Sequence, residues 1–568
     1  MVTPSLSAVE STPLHGTPVV PGVAHGPVVQ VAQEVSAAAV EKYAAVETPD
    51  ADLALEEFDA ASDAVAEGFA AKAARASGAA AAVLAASAGL ARDKGLRQAV
   101  ATRLRTGESL LGAVHDGIAQ FVDVFTAMGG LMAERATDLR DIERRLVARL
   151  VGEPEPGVVA FEVASVLVAA DLAPADAAGL DPGQVLALVT ERGGATSHTA
   201  IIARQLGIPC VVGVAGATAL PTGLAVLVDA AAGLVDPTVD PDDARARVAA
   251  DQEDRAAVER WAGPATTADG VRVKLLANVA DAESARAAAS APVEGVGLFR
   301  TELCFLDRRD EPTVEEQAAL YAETLRPFAD DGRPVVVRTL DAGSDKPIAF
   351  ATLDEEENPA LGVRGLRLAE HNPELLERQL DGIAAAARET GAETWVMAPM
   401  VATVAEAAGF AEQVRRRGLT AGVMIEVPSA AILAERLLAE VDFLSIGTND
   451  LTQYVMAADR LASDLAHLTD PWQPAVLQLV AATAAAGRAA GKPVGVCGEA
   501  AADPLLAIAL IGMGVTSLSM ASAAVRPVGA QISEVSLATC EAAARAVLDA
   551  ADPAAGRQAV RAVLTARP

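Results

Sequence analysis

The chain is poor in the residues that would open several functional classes. Its 568 residues include only four cysteines, at 210, 304, 497 and 540, with no C-x-x-C pair. This excludes a disulfide framework and a cysteine-built zinc site, and it suits a reducing, cytoplasmic setting. Aromatics make up 3% of the residues, and the 52% that are hydrophobic are largely alanine. Apolar runs such as 79–84 fall well short of the ~20 strongly apolar residues that cross a bilayer, so membrane insertion is not expected. The first residues show no basic region followed by a hydrophobic core, so no signal peptide is expected. Basic residues are the scarcer sign: 45 Lys and Arg against 76 Asp and Glu leave a net charge of −31. Such a charge argues against nucleic acid and anionic lipid and favours a basic partner. Of the six histidines, only His198 stands in a site-like context.

A chain of this length exceeds one hydrophobic core and is expected to form about two to four domains. Residues 1–16 read as a flexible tail. Residues 17–45 and 151–240 carry short apolar β runs, with strands expected at 158–161, 165–169, 185–189, 211–212 and 225–229, and form one discontinuous α/β domain. Between them, 46–150 is dominated by helix formers, with an amphipathic stretch at 133–146, and reads as an inserted helical bundle. A charged linker helix is expected over 241–265. From 266 to 568, eight apolar runs alternate with helical segments, at 273–277, 296–299, 335–337, 395–398, 423–425, 443–446, 494–496 and 517–519. That rhythm predicts a (β/α)8 TIM barrel. Most of the runs lead into a polar or reactive residue, in order Asn278, Arg300, Arg338, Glu426, Asn449 with Asp450, and Cys497. Such a series at strand ends marks the C-terminal mouth, where barrels of this kind keep their chemistry.

The segment Gly193-Gly194-Ala195-Thr196-Ser197-His198-Thr199-Ala200 sets a histidine among three hydroxyl residues at the head of an apolar helical run. A helix start offers free N–H groups to an anion, and a histidine there can accept a phosphoryl group. Arg300, Arg338 and Arg460 match phosphate and carboxylate oxygens. Glu426 and Asp450 supply two hard oxygen ligands of the kind that hold Mg²⁺. Cys497, between glycines at a strand end, is either a small buried residue or a thiol able to give a proton to a carbon centre.

In order along the chain stand GGATSHTA, GLFRTE, VRTLDAGSDK, NPALGVRGLR, SIGTNDLTQY and VCGEA. From about Pro21 to the C-terminus, the sequence resembles Enzyme I of the phosphoenolpyruvate:sugar phosphotransferase system. The resemblance implies a swivelling phosphohistidine domain with an inserted helical bundle, followed by the barrel. It implies that His198 takes the phosphoryl group of phosphoenolpyruvate and passes it to a histidine of the carrier HPr, releasing pyruvate. Arg300, Arg338, Arg364, Asn449 and Arg460 would grip phosphoenolpyruvate, Glu426 and Asp450 would hold Mg²⁺, and Cys497 would protonate the enolate. The helical insert would dock HPr, and the barrel would form a homodimer. One departure falls in the insert. Where many members carry a segment like His-Leu-Met-Leu-Glu-Asp, this chain reads Ala81-Ala82-Val83-Leu84-Ala85-Ala86-Ser87, and two acidic positions are lost. A pyruvate phosphate dikinase would need a large ATP-binding domain ahead of the histidine motif, where no Gly-rich phosphate loop is evident. A citrate-lyase-type barrel would leave the histidine segment unexplained. A regulatory paralogue would be signalled by loss of His198 or of a metal carboxylate, and all are present.

Overall fold

The computed structural model describes residues 12–31, 37–44, 50–74, 78–128, 130–153, 155, 163–172, 176, 180–194, 197–306, 308–343, 347–352, 356–460 and 462–566. The chain divides into two compact units, Met1–Asp254 and Arg255–Pro568.

The first unit is built on an eight-stranded sheet. Its strands are β1 (Leu14–His15), β2 (Thr17–Val20), β3 (Val23–Gln30), β4 (Ser165–Ala169), β5 (Val185–Thr190), β6 (Cys210–Val212), β7 (Ala225–Asp229) and β8 (Leu234–Asp236), in the order β1-β8-β7-β3-β4-β5-β6-β2. β3 is central, pairing parallel with β4 and antiparallel with β7. Leu14 and His15, expected within the flexible tail 1–16, pair instead with Val235 and Leu234, and residues 1–11 lie outside the described residues. The strand expected at 158–161 lies outside the described residues.

Between β3 and β4 the chain leaves the sheet for α1 (Ala37–Ala44), α2 (Ala51–Ala73), α3 (Gly78–Ala91), α4 (Lys94–Arg105), α5 (Leu110–Met128) and α6 (Gly130–Val151). The predicted helical insert is therefore present. α2 shows why it packs: Ala54, Phe58, Ala61, Val65 and Phe69 recur every three or four residues and are buried, which forms one apolar stripe. Asp50 caps its start by accepting from the Asp52 amide, and Asp93 caps α4 by accepting from the Leu96 amide at 3.0 Å; both are good cap residues. A buried Arg145 on α6 bonds Asp141 at 2.8 Å and Asp176 at 2.5 Å. Asp176 lies between β4 and β5, so this cation ties the insert to a connection within the sheet domain.

After α7 (His198–Leu206), the helix α8 (Pro241–Arg260) precedes the barrel. The barrel closes from eight parallel strands, β9 (Lys274–Val279), β10 (Val296–Arg300), β11 (Val335–Arg338), β12 (Thr394–Ala398), β13 (Thr420–Ile425), β14 (Phe443–Gly447), β15 (Val494–Cys497) and β16 (Ser517–Met520). All eight expected runs form strands. These strands are buried nearly end to end, as parallel strands covered by helices must be. Outward side chains such as Val335, Val337 and Ile446 join the large core under the helices. Inward ones, Leu298, Val336, Met397, Met424, Phe443 and Cys497, form a separate plug. The plug closes the barrel below its mouth and leaves the strand ends to carry charge.

Candidate active site

The predicted residues of the barrel converge. A cavity of about 210 Å³ opens at the C-terminal ends of the strands, and Arg300, Arg338, Glu426, Asn449, Asp450, Arg460 and Cys497 all line it. β10, β11 and β15 end on Arg300, Arg338 and Cys497, while Glu426 directly follows β13. Asn449 and Asp450 lie in the first turn of the helix Thr448–Met456 that leaves β14. Asn278, also a strand-end residue, stands apart from the cavity and bonds Ser519 at 2.5 Å.

Ion pairs run through the site as an alternating chain. Glu302 meets Arg338 at 2.5 Å, Arg338 meets Asp341 at 3.0 Å, Asp341 meets Arg364 at 3.1 Å, and Asp450 stands 3.4 Å from both Arg364 and Arg460. Buried charges persist only when paired and hydrogen-bonded, and here three carboxylates and three guanidinium groups pair with one another, leaving Glu302 Oε2 and Arg338 Nε without a hydrogen bond among the described residues. Arg364 is fully buried and does not line the cavity. Expected to grip phosphoenolpyruvate, it lies against Asp450, held by both Asp341 oxygens and 3.3 Å from the Tyr454 hydroxyl.

Glu302 and Asp341 lie within the motifs GLFRTE and VRTLDAGSDK, yet the sequence alone points to no role for either. Each follows a strand-end arginine by two or three positions, and that spacing was the available signal. Gln379 supports the same layer from a helix. Its carbonyl accepts from the Leu340 amide at 2.9 Å, and its amide donates to Thr301 at 3.1 Å and to Tyr321 at 3.2 Å.

Two groups stand outside the ion-pair chain. Arg300 makes no side-chain hydrogen bond or ion pair among the described residues, so its guanidinium faces the cavity uncompensated. Glu426 is completely buried and likewise forms no ion pair among them. One of its oxygens accepts from the Met400 amide at 2.6 Å, and the other, Oε2, has no partner. Burial, with the charges of Asp341 and Asp450, pushes its pKa up to about 7 against the pull of Arg338 and Arg364. A β-carbon on Gly447 would stand 3.1 Å from Oε2, so the glycine leaves that oxygen room for a ligand.

A buried, unpartnered carboxylate oxygen beside a second carboxylate in one cavity fits a hard divalent cation. Among the described residues no three His, Cys, Asp or Glu side chains cluster as metal ligands.

Cys497 is buried, and its thiol is pushed up to about 11 by that burial. It stays protonated at neutral pH, donating to the Ile446 carbonyl at 3.4 Å and accepting from Ser445 at 3.6 Å.

In the first unit, His198 is the first residue of α7 (His198–Leu206). Ser197 caps that helix through the Ala200 amide at 3.3 Å, and Gly207 ends it in the left-handed region. Gly193, at φ +97°, makes the turn that a side chain would strain. Of the three hydroxyl neighbours, Ser197 serves as the cap and Thr199 donates to the Leu172 carbonyl at 3.3 Å, while Thr196 lies outside the described residues. The helix start leaves its first amides without intrahelical partners.

Three PEP-utilising enzyme profiles match the chain in order: the N-terminal domain over 15–135, the mobile domain over 161–233 and the PEP-binding domain over 255–537. A phosphoenolpyruvate-protein phosphotransferase of Streptomyces coelicolor is 47% identical over 96% of this chain and 98% of its own length. The proteins of the same name from Haloferax volcanii and Bacillus subtilis are 41% and 37% identical, over 81% and 75% of this chain and 82% and 77% of theirs. On this likeness over nearly its whole length, the chain belongs to the phosphoenolpyruvate-protein phosphotransferases, within the PEP-utilising enzymes.

Proposed function

We propose that the barrel cavity binds phosphoenolpyruvate, that a ring nitrogen of His198 takes its phosphoryl group, and that the phosphohistidine then serves a histidine of HPr. The observation that carries this reading is the pairing of one anion-binding cavity with one helix-start histidine. The unpaired Arg300, with Arg338, Arg460 and Asn449, grips the phosphate and carboxylate oxygens. Arginine forks fixed in advance stabilise developing negative charge without reorganising. Arg364 acts through Asp450, fixing the carboxylate from behind.

As the bond from phosphorus to the bridging oxygen breaks, a phosphorus–nitrogen bond forms at His198 and the electron pair passes to the enolate. Such transfer depends on in-line positioning and neutralised oxygens more than on covalent assistance. Cys497, protonated at neutral pH, gives its proton to the methylene carbon, and pyruvate leaves. The thiolate then recovers a proton from solvent.

Glu426 and Asp450 would hold Mg²⁺, which when bound supplies positive charge to the phosphoryl oxygens. The helical insert would receive HPr. Within the departing segment 81–87 of that insert, Leu84 and Ser87 are buried. The acidic chain suits a basic partner. The barrel would dimerise by two-fold symmetry. Four free cysteines suit a reducing cytoplasm, and among the described residues no helix is long and apolar enough to cross a membrane.

The test is incubation with labelled phosphoenolpyruvate and Mg²⁺, followed by peptide mapping. The label is expected on His198 as an acid-labile, base-stable phosphoramidate, absent from His198→Ala. Undiminished labelling of that variant would contradict the assignment.

A further inference from the structure

Met400 lies two residues beyond β12 with φ at +59°. Only one other non-glycine residue of the described backbone has a positive φ, Ala457. Ala457 ends a helix, where the left-handed turn is routine. Met400 ends no helix, so its conformation is strain that surrounding structure must hold in place.

The held turn aims one group. The Met400 amide donates to Glu426 at 2.6 Å and is the single bond that this buried carboxylate receives among the described residues. With that oxygen engaged, Oε2 is the one left unpartnered. The Met400 side chain holds the turn from the other side. It is buried, and a β-carbon on Gly365 would come within 3.0 Å of its Cβ and Cγ. Gly365, itself at φ +60°, follows Arg364 directly, so the wedge joins the turn after β12 to the strand of chain that carries Arg364.

We infer that Met400 is a positioning residue for the metal carboxylate. Its strained amide selects which oxygen of Glu426 is presented to the cation, and its side chain, seated on Gly365, prevents the turn from relaxing. The inference rests on the proposed metal role of Glu426. Partners that orient a ligand in this way are commonly worth ~10-fold to 100-fold in metal affinity.

The experiment is Mn²⁺ binding to the full chain, followed by electron paramagnetic resonance of the free ion, with melting of the barrel measured on the same samples. Wild type is compared with Glu426→Gln, Met400→Ala and Met400→Gly. Saturable binding in wild type, lost in Glu426→Gln, establishes the metal reading by itself; failure of either sinks that reading whatever Met400 does. Both Met400 variants lose the wedge, but only glycine also relieves the strain. Met400→Gly is therefore expected to melt above Met400→Ala yet bind Mn²⁺ more weakly, about 10-fold below wild type or worse. A side chain that merely fills space would move stability and affinity together. Wild-type affinity in Met400→Gly, or affinity that follows melting temperature across the two variants, would overturn the positioning role.

Discussion

The barrel site and the histidine segment are held in opposite ways. In the barrel, six charged side chains fix one another, and Arg364 and Asp341 are wholly removed from solvent. At α7 the hold comes from the backbone and two hydroxyls: a Ser197 cap, a Gly207 end, a turn at Gly193 and Thr199 bonded to Leu172. Ile201, three residues beyond His198, is 44% exposed, so the helix leaves part of that face open. A receptor for a small, highly charged anion needs its dipoles and charges set before the substrate arrives. Under the proposed two-step transfer, an acceptor that serves two partners in turn needs an accessible helix start more than a rigid cage.

The largest expected effect breaks the first half of this comparison. Asp341→Asn leaves two buried guanidinium groups short of their shared carboxylate, and removing one partner of a buried pair costs about 3–5 kcal/mol. Urea unfolding of the barrel should show that loss, while transfer from phosphorylated HPr to His198 stays near wild type. A loss under about 1 kcal/mol would mean the alternating charges are not a linked network.

Next comes pH. The folded-state pKa of Glu426 is raised from the ordinary 4.5 to about 7, so the folded barrel favours its protonated form. The metal-free barrel should therefore lose stability as pH rises from about 4.5 through about 7, while metal affinity, which needs the carboxylate, rises over the same window. Melting temperatures of metal-free wild type against Glu426→Gln check the sign, since the variant should flatten that slope.

Cys497→Ser replaces the thiol by a much weaker acid, and pyruvate formation should slow by ~10²-fold, the lower range for general acid catalysis. Phosphoenolpyruvate binding, read by calorimetry, should hold. Normal turnover would return Cys497 to a packing role. The smallest effect is Ala457→Gly. A left-handed residue is usual at a helix end, but at φ +50° alanine's β-carbon still carries a steric cost of roughly 1–2 kcal/mol that glycine avoids. Glycine's greater entropy loss partly offsets this, so barrel stability should rise by at most about 1 kcal/mol without a change in kcat.

The barrel was legible because buried parallel strands read as continuous apolar runs. The runs stopped a residue short at β10, β11 and β15, because the strands continue into Arg300, Arg338 and Cys497. A pattern that follows hydrophobicity ends where the chemistry begins. β1 and β8 escaped notice because two or three residues are too few to show a period. The identities of the site residues stood in the motifs, but their pairing did not. Asp341, Arg364 and Asp450 are separated by 23 and 86 positions, and only the closed barrel brings them together. For the same reason the burial of Arg364 could not be read from NPALGVRGLR.

The division of labour between the two sites is tested most directly by Glu426→Gln, followed in both half-reactions. The account predicts that this variant no longer takes a phosphoryl group from phosphoenolpyruvate, yet still accepts one on His198 from phosphorylated HPr at the wild-type rate. Equal loss of both half-reactions in a folded protein, or undiminished labelling from phosphoenolpyruvate, would contradict it.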